Sequence, residues 1–144
     1  MAACDLAVVA DDSRFATSGI NVGLFCSTPS VPVSRNLGRK QAMELLLTGH
    51  FIDAHTALQW GLVNRVVPAS RLDQEVAELA GSIMSKSWVA VATGKRMFYK
   101  QLELPLESAY DYASGVMAGN MMANDVEEGV DAFMQKRTPV WKHQ

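Results

Sequence analysis

Residues 45–68, LLLTGHFIDAHTALQWGLVNRVVP, restrict the fold more than any other stretch of the chain. Just before and into them, residues 40–47 place Met43, Leu46 and Leu47 on one helical face, and Gly49 follows as a stop. Asp53 is positioned to cap a second helix over residues 54–60, with Gly61 as its left-handed terminator. Residues 62–67, LVNRVV, then read as a strand. Helix, capped helix and strand in such quick succession imply a mixed α/β architecture with short elements and tight turns.

The chain changes character near Pro68: short apolar stretches alternate with short helices before it, and almost everything after it is helical. Upstream, Leu6, Ala7, Val8 and Val9 form an apolar run bounded by aspartates, which suits a strand buried on both faces. Thr28 before Pro29 reads as an N-cap with proline in the first helical position. Downstream, Ser70 with Asp73 approximates a capping box leading Leu72, Val76, Leu79 and Ile83 at helical spacing. A helix over residues 88–102 follows, weakened by Gly94. Pro105 opens another at its first position, with Ala109, Ala113, Val116 and Met117 on one side. Asp125 with Glu128 forms a second capping box, ahead of Val126, Val130, Phe133 and Met134 on one stripe. Met117, Met121 and Met122 suit either an adaptable binding surface or a helical core or subunit interface.

Composition excludes several classes. With 49% apolar and 19% charged residues over 144 positions, the chain has the make-up of a folded domain. A net charge of −2, with basic residues clustered only in pairs, offers no stripe for nucleic acid. Two cysteines, Cys4 and Cys26, build neither a disulfide framework nor a four-ligand zinc site, so buried reduced thiols are expected. No apolar run approaches the roughly 18 residues of a membrane span, and the start of the chain lacks the basic region of a signal peptide. The expected location is the bacterial cytoplasm, or the mitochondrial matrix for a eukaryotic, N-terminally extended form.

Three segments carry a family resemblance. CDLAVVADDSRFATSG, residues 4–19, resembles a strand pair beside the acyl-CoA pocket of the crotonase superfamily, the enoyl-CoA hydratase/isomerase family. Residues 45–68 resemble that family's LTG-x-x-I-x-A-x-x-A-x-x-x-G-L-V-x-x-V-V-P signature, and EGVDAFMQKRTPVW, residues 128–141, its E-G-x-x-A-F-x-E-K-R-x-P-x-W ending. The resemblance implies the C-terminal part of a β-β-α spiral over residues 1–68, followed by a helical oligomerisation region over residues 69–144. It further implies packing into homotrimers, often paired as hexamers, and a pocket for an acyl-CoA thioester of fatty-acid metabolism. Coenzyme A is then part of the substrate, with no separate cofactor, metal, nucleic acid or membrane partner.

In the family, two backbone N–H groups stabilise the enolate at the thioester oxygen, commonly worth about 3–4 kcal/mol per donor. A hydratase adds two glutamates, one to activate water and one to protonate the α-carbon. Hydratases read F-G-Q-P-E where this chain has Phe15-Ala16-Thr17-Ser18-Gly19, so Gly19 takes the place of the second glutamate. The first glutamate and both oxyanion donors correspond to positions ahead of Met1, and the expectation is that Met1 is an internal or misassigned start. Residues 15–29, FATSGINVGLFCSTP, are similar to a branch that carries the hydratase name with an impaired acid/base pair.

No catalytic residue is assigned. The candidate substrate-binding residues that the resemblance implies are Ser18, Gly19, Phe25, Phe133 and Lys136. Lys136 would attract a CoA phosphate as a point charge, although a surface lysine and a core phenylalanine remain equally open at Lys136 and Phe133. Ser18, Ser27 and Thr28 have no histidine or carboxylate close in sequence to activate them. Asp11 and Asp12 read as turn residues, and His50 and His55 as polar residues at helix ends rather than metal ligands. Three roles stay open: an acyl-CoA enzyme of the hydratase type, inactive as these residues alone; a non-catalytic acyl-CoA-binding or assembly subunit; and an inactive fragment that self-associates.

Overall fold

The computed structural model describes residues 1–143, which form two compact units, Met1–Glu78 and the residues from Leu79 onward. The first contains strands β1 (Val8–Ala10), β2 (Arg14–Phe15), β3 (Ile52–Asp53) and β4 (Arg65–Val67). Helices α1 (Ser27–Asn36), α2 (Arg39–Thr48) and α3 (Ala54–Trp60) lie between them, with a 3-10 turn over Ser18–Val22. β4 leads through a second 3-10 turn into α4 (Leu72–Met84), and Arg65 of the strand donates to Glu75 of the helix at 2.7 Å.

The apolar run near the start becomes β1, but its neighbour is distant in sequence. Val8, Val9 and Ala10 pair parallel with Arg65, Val66 and Val67. Asn64 closes the end of that ladder, accepting from the Ala7 N–H through Oδ1 and donating its own N–H to the Ala7 carbonyl, both at 2.8 Å. Residues 4–19 therefore do not form one strand pair: β2 instead runs antiparallel to β3, Arg14 opposite Asp53 and Phe15 opposite Ile52. Of the run only Val9 is buried, with Ala10 just beyond it; Ala7 and Val8 are half-buried and Leu6 is exposed.

Residues 53–61 form as their local chemistry dictates. Asp53 accepts the Thr56 N–H at 2.7 Å, and Gly61, at φ 85°, returns its N–H to the last turn of α3. Ala54 and Ala57 have no exposed surface, and Val9, Val33, Leu37, Leu45, Leu62 and Val63 close around them. On α2 the buried face is Ala42, Leu45 and Leu46, whereas Met43 and Leu47 of the expected stripe point outward. α1 begins at Ser27, with Cys26 in the cap position and no side-chain cap, so Thr28 is not its N-cap. Pro29 falls in the first turn, where its missing N–H has no intrahelical partner to lose; Pro32 sits inside the helix.

The second unit contains α5 (Trp88–Gln101), α6 (Leu106–Asn120) and α7 (Asn124–Met134), with α5 packed on α6. α5 starts at Trp88 as expected, with Ser87 as its cap, and Pro105 occupies the cap position of α6 rather than its first turn. The Asp125–Glu128 capping box does not form. Ala123 precedes α7, and both carboxylates serve the chain beyond the helix instead.

α7 ends in a Schellman turn: the Arg137 N–H reaches the Ala132 carbonyl at 3.0 Å and the Lys136 N–H the Phe133 carbonyl at 3.2 Å. Lys136 is consequently left-handed, at φ 54°, in the position that usually holds glycine. A lysine there is strained by roughly 1–2 kcal/mol, part of which glycine would give back as unfolded-state entropy. Lys136→Gly is expected to raise stability by up to about 1 kcal/mol in denaturant unfolding. A loss of that size would contradict the strained-cap assignment.

Candidate functional site

Thr17 anchors the loop that carries three of the candidate residues. Its buried hydroxyl donates to the Leu45 carbonyl at 2.7 Å, attaching the start of the loop to α2. Ser18–Val22 then form the 3-10 turn, and the Leu24 N–H folds back to the Gly19 carbonyl at 3.0 Å. Gly49, at φ 63°, lies against the far side of this turn, where a Cβ would come within 2.7 Å of Ile20 Cγ2. The loop thus rests on both the body and the end of α2. It brings Ser18, Gly19 and Phe25 together, with Ser18 and Phe25 exposed.

Beside the loop is an open hollow of about 480 Å³, bordered by Phe15, Thr17, Pro29, Val33, Leu45 and Phe51. Arg14 also borders it, with its guanidinium 5.0 Å from the Phe51 ring centre, within cation–π range. The Asp53 carboxyl is held below its ordinary value, first by the Thr56 N–H and then by the Thr56 hydroxyl, with smaller contributions from the charges of His55 and Arg14.

Phe133 and Lys136 belong to the second unit, within one turn of each other at the end of α7. Phe133 is 81% exposed, so it is not a core phenylalanine, and it borders a cleft of about 450 Å³ with Val89, Val126, Val130 and Trp141. Asn120 also lines this cleft, and its Oδ1 is buried without a hydrogen-bond partner.

The tail that follows is clasped by two carboxylates one turn apart. Glu128 accepts both nitrogens of the Arg137 fork, at 2.5 and 2.9 Å, and the Val140 N–H at 2.7 Å. Those hydrogen bonds, Arg137 first, lower its pKa from 4.5 to about 2. Buried Asp125 accepts from the Ser87 hydroxyl and from the N–H groups of Lys142 and His143. The Ser87 hydrogen bond is the main reason its carboxyl is held below the ordinary value.

None of this clasp was assigned from sequence, because a carboxylate in the first turn of a helix looks like a cap whatever it contacts. Ser87 had a usable signal, a serine directly ahead of an apolar helical run. Among the described residues no three His, Cys, Asp or Glu side chains gather as metal ligands, and no helix is long and apolar enough to cross a membrane.

The model of the enoyl-CoA hydratase/isomerase family matches residues 1–144. The chain belongs to that family. Among its family relatives, the rat enoyl-CoA hydratase domain-containing protein 3, mitochondrial, is 50% identical over 143 residues, 99% of this chain and 48% of that protein. Carnitinyl-CoA dehydratase of Citrobacter koseri is 34% identical over 145 residues, 97% of this chain and 56% of that protein. A crystal structure of a Mycobacterium smegmatis enoyl-CoA hydratase superimposes with a TM-score of 0.94 at 55% identity, covering 97% of this chain and 55% of that one. The chain therefore spans about half the length of the curated family members it matches, and its α/β architecture is that of the crotonase fold.

The clasp has a pH signature. Because Glu128 titrates lower in the folded state, its contribution is complete above the unfolded value of 4.5 and is lost as pH falls through about 2. The stability difference between wild type and Glu128→Gln should stay constant from pH 6 to about pH 4.5 and then shrink down to about pH 2 in urea melts. A difference independent of pH over that range would contradict the clasp.

Proposed function

We propose that these residues form part of an acyl-CoA thioester site in which the loop at residues 18–25 faces the acyl group, and that they bind thioester without hydrating it. The observation that carries the proposal is Gly19, held in a closed turn at the position where the family resemblance calls for a glutamate. Glycine neither gives nor takes a proton, and acid–base hydration needs one group to activate water and another to protonate carbon. No other carboxylate or histidine lies within the segment from Ser18 to Cys26 to substitute. Support for the ligand class comes from the relatives' names, an enoyl-CoA hydratase domain protein and a carnitinyl-CoA dehydratase.

Lys136 and Phe133, in the helical unit, are an exposed cation and an exposed ring close in sequence, and in the proposal they serve the nucleotide end of the ligand bound by a neighbouring copy of the chain. Lysine keeps its place at a left-handed position that favours glycine, which suits a side chain retained for its charge rather than for its backbone. In the proposal it meets a CoA phosphate.

A second role is favoured by one further observation. In the helical unit, Tyr110, Met117, Met121, Met122, Phe133 and Met134 are all more than half exposed. Apolar side chains in this number suit burial against other copies of the chain, so we propose that this unit also serves assembly, as a homotrimer or hexamer.

The purified 144-residue chain is expected to show no crotonyl-CoA hydration above a heat-killed control, measured by loss of enoyl absorbance. Turnover clearly above that control would overturn the binding-only assignment.

A further inference from the structure

Gly19 is more than a position without a carboxylate. A Cβ built on it would stand 2.8 Å from the Leu24 carbonyl oxygen and 2.8 Å from Cys26 Sγ, closer than carbon approaches either atom in folded proteins. Its φ lies outside the left-handed region, so the requirement for glycine here is one of space.

The two obstacles differ in how far they can give way. The Leu24 carbonyl is backbone, in a turn closed by its own N–H on Gly19 and followed at once by the Ser27 N–H to the Phe25 carbonyl at 2.8 Å. Cys26 stands at the start of α1, where its carbonyl accepts the Ser30 N–H at 2.9 Å, so only its single side-chain torsion remains to move the thiol.

We infer that Leu24 and Cys26 close the space beside Gly19 from within, so that position 19 admits no side chain and the Gly19–Cys26 pair fixes this wall of the proposed thioester site as one without a carboxyl group. The inference rests on the acyl-CoA assignment and deepens it. The lost carboxylate is a property of how the whole turn is folded, and Gly19→Glu alone opens the turn rather than restoring an acid/base pair. The ligand class is an acyl thioester held at this wall by shape and backbone, with no carboxylate or histidine from Ser18 to Cys26.

The test is a double-mutant cycle on the 144-residue chain, with Gly19→Ala, Cys26→Ala and the double variant compared by thermal unfolding. Overpacking by one methyl should lower the melting temperature of Gly19→Ala by roughly 4–10 °C. Cys26→Ala removes one of the two obstacles, so in its background the same change should cost about half as much. If Gly19→Ala does not fold, refolding in the double variant supports the pair. A Gly19→Ala melting temperature equal to wild type overturns the inference, and an equal cost in both backgrounds overturns the part played by Cys26.

Calorimetric titration of wild type with butyryl-CoA separates this from the assignment beneath it. Coupling without butyryl-CoA binding leaves the closed turn standing and removes the thioester. Binding without coupling does the reverse.

Discussion

Two alanines hold the first unit together. Ala54 and Ala57 are wholly buried on a helix of two turns, and their small side chains let that helix lie directly against Val9, Leu45, Leu62 and Val63. A larger residue at either place would push α3 away from the elements it joins, at the cost typical of overpacked cores. The rest follows from that contact. Asp53 and Gly61 start and stop the helix so that β3 enters and β4 leaves at fixed angles, and β4 then meets β1 in parallel. With α2 packed on the same cluster, Thr17 has the Leu45 carbonyl to bond, and the candidate loop hangs from that hydrogen bond. The position of Gly19 is thus set by alanines more than thirty residues further along the chain.

The second unit is organised differently. Its buried side chains are Ser87, Asp125, Ala109 and Ala132, while its large apolar residues are mostly exposed. Ser87, Asp125, Glu128 and Arg137 bind the segments that flank the helices, so directional hydrogen bonds do here what apolar packing does in the first unit. Partner groups 38 residues apart, such as Ser87 and Asp125, make that unit sensitive to single polar substitutions.

What the sequence disclosed was what neighbouring residues decide. The Asp53 cap, α3 and the Gly61 stop were legible because every partner lies within the same turn. The pairing of β1 with β4 was not, since strand partners are chosen by the assembled core rather than by either strand. α2 shows the same limit at smaller scale: helical periodicity was clear, yet Ala42 and Leu45 face inward where Met43 and Leu47 had equal claim on spacing. Asp125 and Glu128 fitted a capping box perfectly in spacing and bind the tail instead, because a residue's type names its chemistry and not its partner. At the candidate site, the resemblance marked Gly19 as missing a glutamate, but the crowding by Leu24 and Cys26 could come only from coordinates.

In the proposed site, the turn at residues 18–26 would face the acyl group of a thioester and is closed to a side chain at Gly19. Backbone amide shifts of the isotopically labelled chain, followed by NMR during titration with butyryl-CoA, address that most directly. Saturable shifts concentrated in residues 18–26 and around Lys136 are expected. Shifts confined to other segments, or none at concentrations that saturate a catalytically competent hydratase, would contradict it.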